Sequence, residues 1–356
     1  MRVLHVDAGR EWRGGQNQVR LLTRELCRDP DLDVRLLTNR SGTLAARAAA
    51  AGVRVLPARW TIGLDPRAWL ALYRQISSWR PDIVHVHDAH GLTLAHAALR
   101  LLRRGPLRPL LIAHRRVDFH VRATSGWLKV QRIVAVSEAV ERVLIADGVS
   151  PRAITVIHDG IDRDEIQAHA AASSGIRDRL GLPAHTPLAL NAAALVAHKD
   201  QRTLIRAAAE ARAQRPDLHW AIAGEGVERP ALAAEIDRLG LGDRVHLLGY
   251  ITEIDALIRE ADVFVMSSRE EGLGSVILHA LALGKPVVST AAGGIPELVA
   301  PDALVPVADA AALARRVVDM VAHPVGTSLP ERFTAKSMAG ATLELYKMLV
   351  EVGGGG

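Results

Sequence analysis

Short runs of Val, Ile, Leu and Ala alternate with longer stretches in which apolar residues recur every three or four positions, from one end of the chain to the other. Short apolar runs bounded by turn residues read as strands buried on both faces, and the 3.6-residue spacing reads as amphipathic helix. Strands are expected at residues 2–6, 33–38, 53–56, 82–87, 109–113, 132–137 and 154–157, with helices at 16–28, 66–79 and 138–147 between them. A second series puts strands at 188–194, 218–223, 244–248, 263–267 and 286–290, and helices at 203–214, 231–239, 275–283 and 310–322. Strand and helix in steady alternation is the mark of βαβ units, so the pattern predicts an α/β protein of two doubly wound, Rossmann-like domains.

The pattern lapses across residues 159–187, where Asp159-Gly160-Ile161-Asp162, an Ala/Ser stretch and Gly181-Leu182-Pro183 read as a linker. We therefore expect an N-terminal domain over 1–168, a second over 169–332, a C-terminal helix over 333–352 and a flexible glycine tail at 353–356. A length of 356 residues suits two cores better than one.

Composition narrows the classes. At 49% hydrophobic and 23% charged residues the chain is globular, and the single Cys27 leaves no disulfide framework or cysteine metal site, which fits a reduced interior. His5 and Asp7 interrupt the first apolar run before it reaches signal-peptide length, and the longest stretch without Asp, Glu, Lys or Arg, 180–198, is broken by glycine and prolines. A cytoplasmic protein is expected, with any membrane contact peripheral and at the inner face. The net charge of +5 points to an anionic partner such as phosphate, an acidic membrane face or nucleic acid. Aromatic residues make up only 3% and no stacking platform appears, which argues against nucleic acid.

In open parallel sheets, ligands bind beyond the carboxyl ends of the strands, where helix N-termini offer N–H groups to anions. Four loops answer to that rule. Gly14-Gly15 opens the first helix without Cβ atoms, so a pyrophosphate can approach the backbone; alone, the pair is as much a plain turn. Lys199, one of only five lysines, stands at a strand-to-helix turn where an ammonium neutralises phosphate; the bland reading is a solvated helix-start lysine. Residues 267–275 join strand to helix through Gly272 and Gly274, aiming the N–H groups of Gly274, Ser275 and Val276 at a ligand, with Glu271 beside them as a hydroxyl acceptor or simply as helix-dipole charge. Gly293-Gly294-Ile295-Pro296-Glu297 is the fourth.

Other clusters read more plainly. Asp31-Leu32-Asp33 has the spacing of a metal-nucleotide motif but falls before a strand, at the wrong edge of the sheet, and reads as a solvated turn. His85 and His87 share a strand face, which admits a transition metal, yet a strand-end histidine cluster fits better, with His87 or Asp88 near an acceptor. His5 and His246 read as strand histidines with structural partners, and Lys285, which precedes a strand, as structural.

Read in order, Arg132-Ile133-Val134-Ala135-Val136-Ser137, Asp159-Gly160-Ile161-Asp162, Gly224-Glu225-Gly226, Glu271-Gly272-Leu273-Gly274, residues 280–288 and Gly293-Gly294-Ile295-Pro296-Glu297 resemble the retaining nucleotide-sugar glycosyltransferases of the GT-B fold, family four or "group one". The resemblance spans nearly the whole chain. It implies an acceptor domain and a donor domain facing a cleft, a C-terminal helix returning to the first domain, and transfer of a sugar from a UDP-, GDP- or ADP-type donor to a hydroxyl. No metal or other cofactor is implied.

Residue by residue, Glu271 matches the first carboxylate of the family's Glu-x(7)-Glu motif on the donor sugar, Lys199 the lysine on the diphosphate, Gly15 the glycine loop near the donor phosphate, and His114 the histidine approaching the transferring sugar. Two positions depart. His279 stands where the family usually has the ribose-binding glutamate, and Ala194 where it usually has an arginine on the diphosphate. The implied mechanism is same-face displacement, the leaving phosphate helping to take the acceptor proton. The implied partners are a lipid-linked or saccharide acceptor of cell-envelope synthesis and, through Arg100, Arg103, Arg104, Arg108, Arg115, Arg116, Arg122, Lys129 and Arg132, an anionic membrane face. A nucleotide-sugar epimerase on the same fold, or a non-catalytic nucleotide-sugar-binding protein, remains the alternative.

Overall fold

Among the described residues thirteen strands form, twelve of them at these runs. A computed structural model describes residues 1–61, 63–101, 108–121 and 126–354; Arg103, Arg104, Arg122 and the last two glycines lie outside the described residues. The first series is β1 (Arg2–Asp7), β2 (Asp33–Asn39), β3 (Arg54–Ala58), β4 (Ile83–Val86), β5 (Leu110–Arg115), β6 (Arg132–Ala135) and β7 (Ile154–Val156). The second is β8 (Leu188–Ala192), β9 (His219–Ala223), β10 (Val245–Gly249), β11 (Val263–Met266), β12 (Val287–Thr290) and β13 (Leu304–Val305). β4, β8, β9, β11 and β12 are buried along their whole length, as a parallel strand covered by helices on both faces must be.

The strands form two parallel sheets, ordered β3-β2-β1-β4-β5-β6-β7 and β10-β9-β8-β11-β12-β13. Two compact units contain them: Met1–Ile161 with Glu331–Gly356, and Asp162–Pro330. In each sheet the winding runs outward in both directions from one central pair, β1 beside β4 and β8 beside β11. Helices on opposite sides of those pairs leave a crevice at their carboxyl ends.

The stretch expected to be a linker holds two short helices, Arg163–Ala170 and Ile176–Arg179. The first buries only Ile166 and Ala170 and is started by Asp162, whose side chain accepts from the N–H groups of Asp164 and Glu165. So small an apolar stripe leaves no readable period. Helices Thr43–Ala50 and Ala89–Leu101 also go beyond the periodic reading, the former because five of its eight residues are alanine and carry little hydrophobic contrast. The helix Pro66–Arg74 continues into a wide π turn, Gln75–Trp79, ending on Arg80 in the left-handed region (φ 52°).

The chain returns to the first unit at residues 331–335. Ile161 donates to the Phe333 carbonyl and Ala335 to the Ile161 carbonyl, at 3.0 and 2.9 Å. Here glycine is required at 160, because a Cβ would sit 2.2 Å from the Thr334 carbonyl oxygen. The C-terminal helix, Ala335–Gly354, then lays Met338, Ala339, Leu345 and Tyr346 into the core with Val3, Leu22, Ile83 and Ile112. None of the described helices is long and apolar enough to cross a membrane.

Tyr346 is fully buried and its hydroxyl meets His85 Nδ1 at 2.5 Å. Tyr346→Phe is expected to lower unfolding free energy by about 1 kcal/mol through the lost hydrogen bond, and Tyr346→Ala by about 3–5 kcal/mol through the cavity. Urea unfolding checks this; an alanine variant as stable as the native chain would show that the C-terminal helix is not part of the first core.

Candidate active site

The carboxyl end of the β8/β11 pair is a crevice sewn from three loops. After β8, the turn Ala197–Lys199 leads to Asp200, a non-glycine residue in the left-handed region (φ 46°) whose carboxylate caps the helix Gln201–Ala211 by accepting from Thr203. Arg269, from the loop after β11, donates to the Asp200 carboxylate at 2.7 Å, its backbone N–H donates to the His198 carbonyl at 2.8 Å, and Ser267 Oγ donates to the Lys199 carbonyl at 3.1 Å. From the loop after β12, Gly294 donates to the Glu271 carbonyl at 3.0 Å.

These ties put the Lys199 ammonium in direct contact with the Glu271 carboxylate, to which Ser268 Oγ also donates at 3.1 Å. Both side chains are mostly buried, 18% and 12% exposed. A cation and a hydroxyl acceptor therefore stand side by side at the switch point. Gly274 follows with φ 86°, a conformation that favours glycine, and opens the helix Ser275–Ala282. Gly274 at the N-cap brings no side chain to cap that helix, and the first-turn N–H groups of Ser275 and Val276 are of the kind that bind an anion.

One helical turn further, His279 Nδ1 donates to Asp255 Oδ1 at 2.6 Å, and the other oxygen of Asp255 meets His169 Nδ1 at 3.2 Å. Asp255 is buried and His279 half-buried. A carboxylate can only accept here, so Nδ1 of His279 carries a proton and the ring is held in place by Asp255. Asp255 escaped the sequence reading, since nothing in its spacing links it to a histidine 24 positions away. Ala194 has no polar side chain to offer; its carbonyl accepts from Gln201 Nε2 at 3.1 Å.

In the other unit, the corresponding point between β1 and β4 opens a cavity of about 400 Å³ lined by Gly9, Arg10, Gln16, Trp60, Asp88 and His90 among others. Asp88 pins its rim, accepting from the backbone N–H groups of Ala8, His90 and Gly91 at 2.7–2.9 Å. Burial and the nearby Asp88 charge push the Asp7 carboxyl up to about 6. Gly15 lies in the first turn of the helix Gly14–Leu26, with no atom within 4 Å of where a Cβ would stand. Asp31 and Asp33 are exposed at the opposite, amino end of the sheet.

His114 lies inside β5 rather than after it and is 1% exposed. It belongs to a buried polar cluster with His5, His85 and His87, whose rings lie 4.4–5.8 Å apart. Arg116, held by Asp159 at 3.0 Å, contacts His87 and His114. Burial, then neighbouring positive groups, depress all four imidazoles, His5 to about 3 and the others well below their usual 6.5. The rings are neutral. His246 likewise has a structural partner, His219.

Two family descriptions match the chain, "Glycosyltransferase Family 4" over residues 12–165 and "Glycosyl transferases group 1" over 174–337. Among curated relatives, the putative glycosyltransferase EpsD of Bacillus subtilis is 29% identical over 283 residues, 73% of each chain. The 2-deoxystreptamine glucosyltransferase of Streptomyces kanamyceticus is 28% identical over 314 residues, covering 80% of this chain and 81% of the relative. In fold, HepE of Anabaena, solved with UDP and glucose, superposes with a TM-score of 0.77 at 20% identity over 99% of both chains. The chain belongs to the family four, group 1 glycosyltransferases and has their GT-B fold.

The neutral histidines make stability depend on pH. As pH falls below 6.5, the unfolded chain binds protons on His5, His85, His87 and His114 that the folded chain refuses, so unfolding is favoured by about 1.4 kcal/mol per pH unit for each. Asp7, taking a proton in the folded state below about 6, and Asp159, whose carboxyl burial also pushes up, act oppositely, but they are two groups against four. The urea midpoint is expected to be flat from about pH 7 to 8 and to fall steeply between about pH 6.5 and 5. A midpoint unchanged down to pH 5 would contradict burial of neutral imidazoles.

Proposed function

We propose that the protein moves a sugar from a nucleoside diphosphate sugar to an acceptor hydroxyl with retention at the anomeric carbon. The observation that carries this reading is the pairing of Lys199 with Glu271 at the switch point of the second sheet, beside a helix N-terminus whose N-cap is a glycine. Without a donor each neutralises the other. With one, the ammonium turns to the diphosphate and frees the carboxylate for the sugar hydroxyls. The dipole and N–H groups of the helix starting at Ser275 add to the stabilisation of the leaving diphosphate, so the charge is met by the protein without a metal. His279, its ring held by Asp255, serves the ribose where glutamate is usual.

In this reading residues 162–330 take the donor and the first unit takes the acceptor, a saccharide or lipid-linked saccharide of the cell envelope, in its 400 Å³ cavity. Gly15 opens its helix without a Cβ, which leaves room for a phosphate at that helix N-terminus. The leaving phosphate takes the acceptor proton on the face from which it departs, which returns the same anomeric configuration. The arginine-rich first unit suits docking on the anionic inner face of the cytoplasmic membrane.

Acceptor-dependent nucleotide release over a panel of UDP, GDP and ADP sugars tests this. Lys199→Met and Glu271→Gln are each expected to lower it about 100-fold. Gly15→Ala, which meets nothing in the fold, should keep or slightly raise the melting temperature while transfer falls at least about tenfold. Binding of a donor without release for any acceptor would favour a non-catalytic binding protein, and unchanged transfer in the first two variants would overturn the assignment of the site.

A further inference from the structure

Arg116 has five N–H donors, no acceptor, and a charge it does not lose. Its Nε donates to Asp159 Oδ1 at 3.0 Å, and its two terminal nitrogens donate to Nδ1 of His87 and Nδ1 of His114, each at 3.2 Å. An imidazole nitrogen facing a donor-only partner must present its lone pair, so a neutral ring carries its proton on the other nitrogen. His87 is therefore protonated at Nε2. That N–H faces His5 Nδ1 at 2.9 Å, which must accept, and the proton of His5 is in turn on Nε2. One guanidinium thus dictates three tautomers.

The consequence concerns metal ions. His5, His85 and His87 each bring a ring nitrogen within 4.8 Å of the others, a grouping whose imidazoles suit zinc, nickel or copper. A ligand nitrogen must offer a lone pair, and His87 has none left: Arg116 holds the one on Nδ1, and Nε2 bears the proton. A second cation would also meet the guanidinium charge. We propose that Arg116 is a tautomer-setting residue that keeps this three-histidine group in a hydrogen-bond-donating state closed to metal ions. Among the described residues, Nε2 of His5 and of His114 has no hydrogen-bond partner, so both are N–H groups suited to a neutral or anionic acceptor such as water. One corollary rests on the transferase reading: His114, buried and protonated at Nε2, does not take the acceptor proton.

The second unit provides the opposite case. Arg244 donates to Nε2 of His219 at 2.9 Å, and His219 Nδ1 meets His246 Nε2 at 3.0 Å. The same rule puts the protons of His219 and His246 on Nδ1.

Two-bond proton–nitrogen correlation spectra of tag-free, ¹⁵N-histidine-labelled protein at about pH 7.5 read each tautomer without donor or acceptor, so failure of the transferase reading does not affect the test. The expected pattern is Nε2–H for His5, His87 and His114 and Nδ1–H for His219 and His246, with the His5, His85 and His87 signals unmoved by equimolar zinc. In Arg116→Met the His87 and His114 tautomers should change, and zinc should shift the three rings at a concentration at least about tenfold lower than in the native protein. Nδ1–H at His87 or His114 in the native protein, zinc shifts there at equimolar metal, or a folded variant with unchanged tautomers would overturn the proposal. If the variant does not fold, the native spectra alone decide.

Discussion

Both sheets depend on one constraint: parallel strands joined by right-handed crossovers must bring their helices to one face or the other, and where the winding reverses no helix covers the strand ends. That place is the β1/β4 pair in one unit and the β8/β11 pair in the other. The chemistry-bearing groups collect at these two points. Lys199 and Glu271 stand at the second, and Asp7, Asp88 and the histidine cluster at the first. Elsewhere the strands are mostly Val, Ile, Leu and Ala.

The two points solve the burial of polar groups differently. At β8/β11 opposite charges neutralise each other directly, which stabilises the empty site while leaving both groups available to a ligand of mixed character, anionic at the phosphates and hydroxylated at the sugar. At β1/β4 the imidazoles shed their charge, because burial beside Arg116 makes protonation unfavourable. In the proposed function the first arrangement is exchanged for a ligand; the second is a hydrogen-bonded core, anchored to the C-terminal helix through Tyr346.

The fold was legible wherever burial on both faces produced an unbroken apolar run. Twelve of the strands fall at the expected runs, β3, β7 and β10 among them though only partly buried, whereas β13 has only two residues and no pattern to show. Short helices with little contrast between faces, such as Thr43–Ala50, left no period. Lys199 stood out because lysine is scarce and the position follows a strand, and Glu271 because two glycines frame it. Their mutual contact was not legible, for it depends on β8 lying next to β11 in space although two strands separate them in sequence. The same holds for Asp255 with His279 and for Arg116 with its two histidines: the histidine-rich strand end could be seen, but tautomers follow from which nitrogen faces the guanidinium. His114 read as a residue at a strand end; in the fold it is sealed within the sheet.

The central claim is that the Lys199–Glu271 pair is the empty form of a donor site. The most direct measurement is a crystal structure with whichever nucleoside diphosphate sugar the protein binds. The account predicts that the pair separates, with Lys199 Nζ on a diphosphate oxygen, Glu271 on sugar hydroxyls and the phosphates at the N-terminus of the helix Ser275–Ala282. A bound donor that leaves Lys199 on Glu271 and places its diphosphate elsewhere would contradict it.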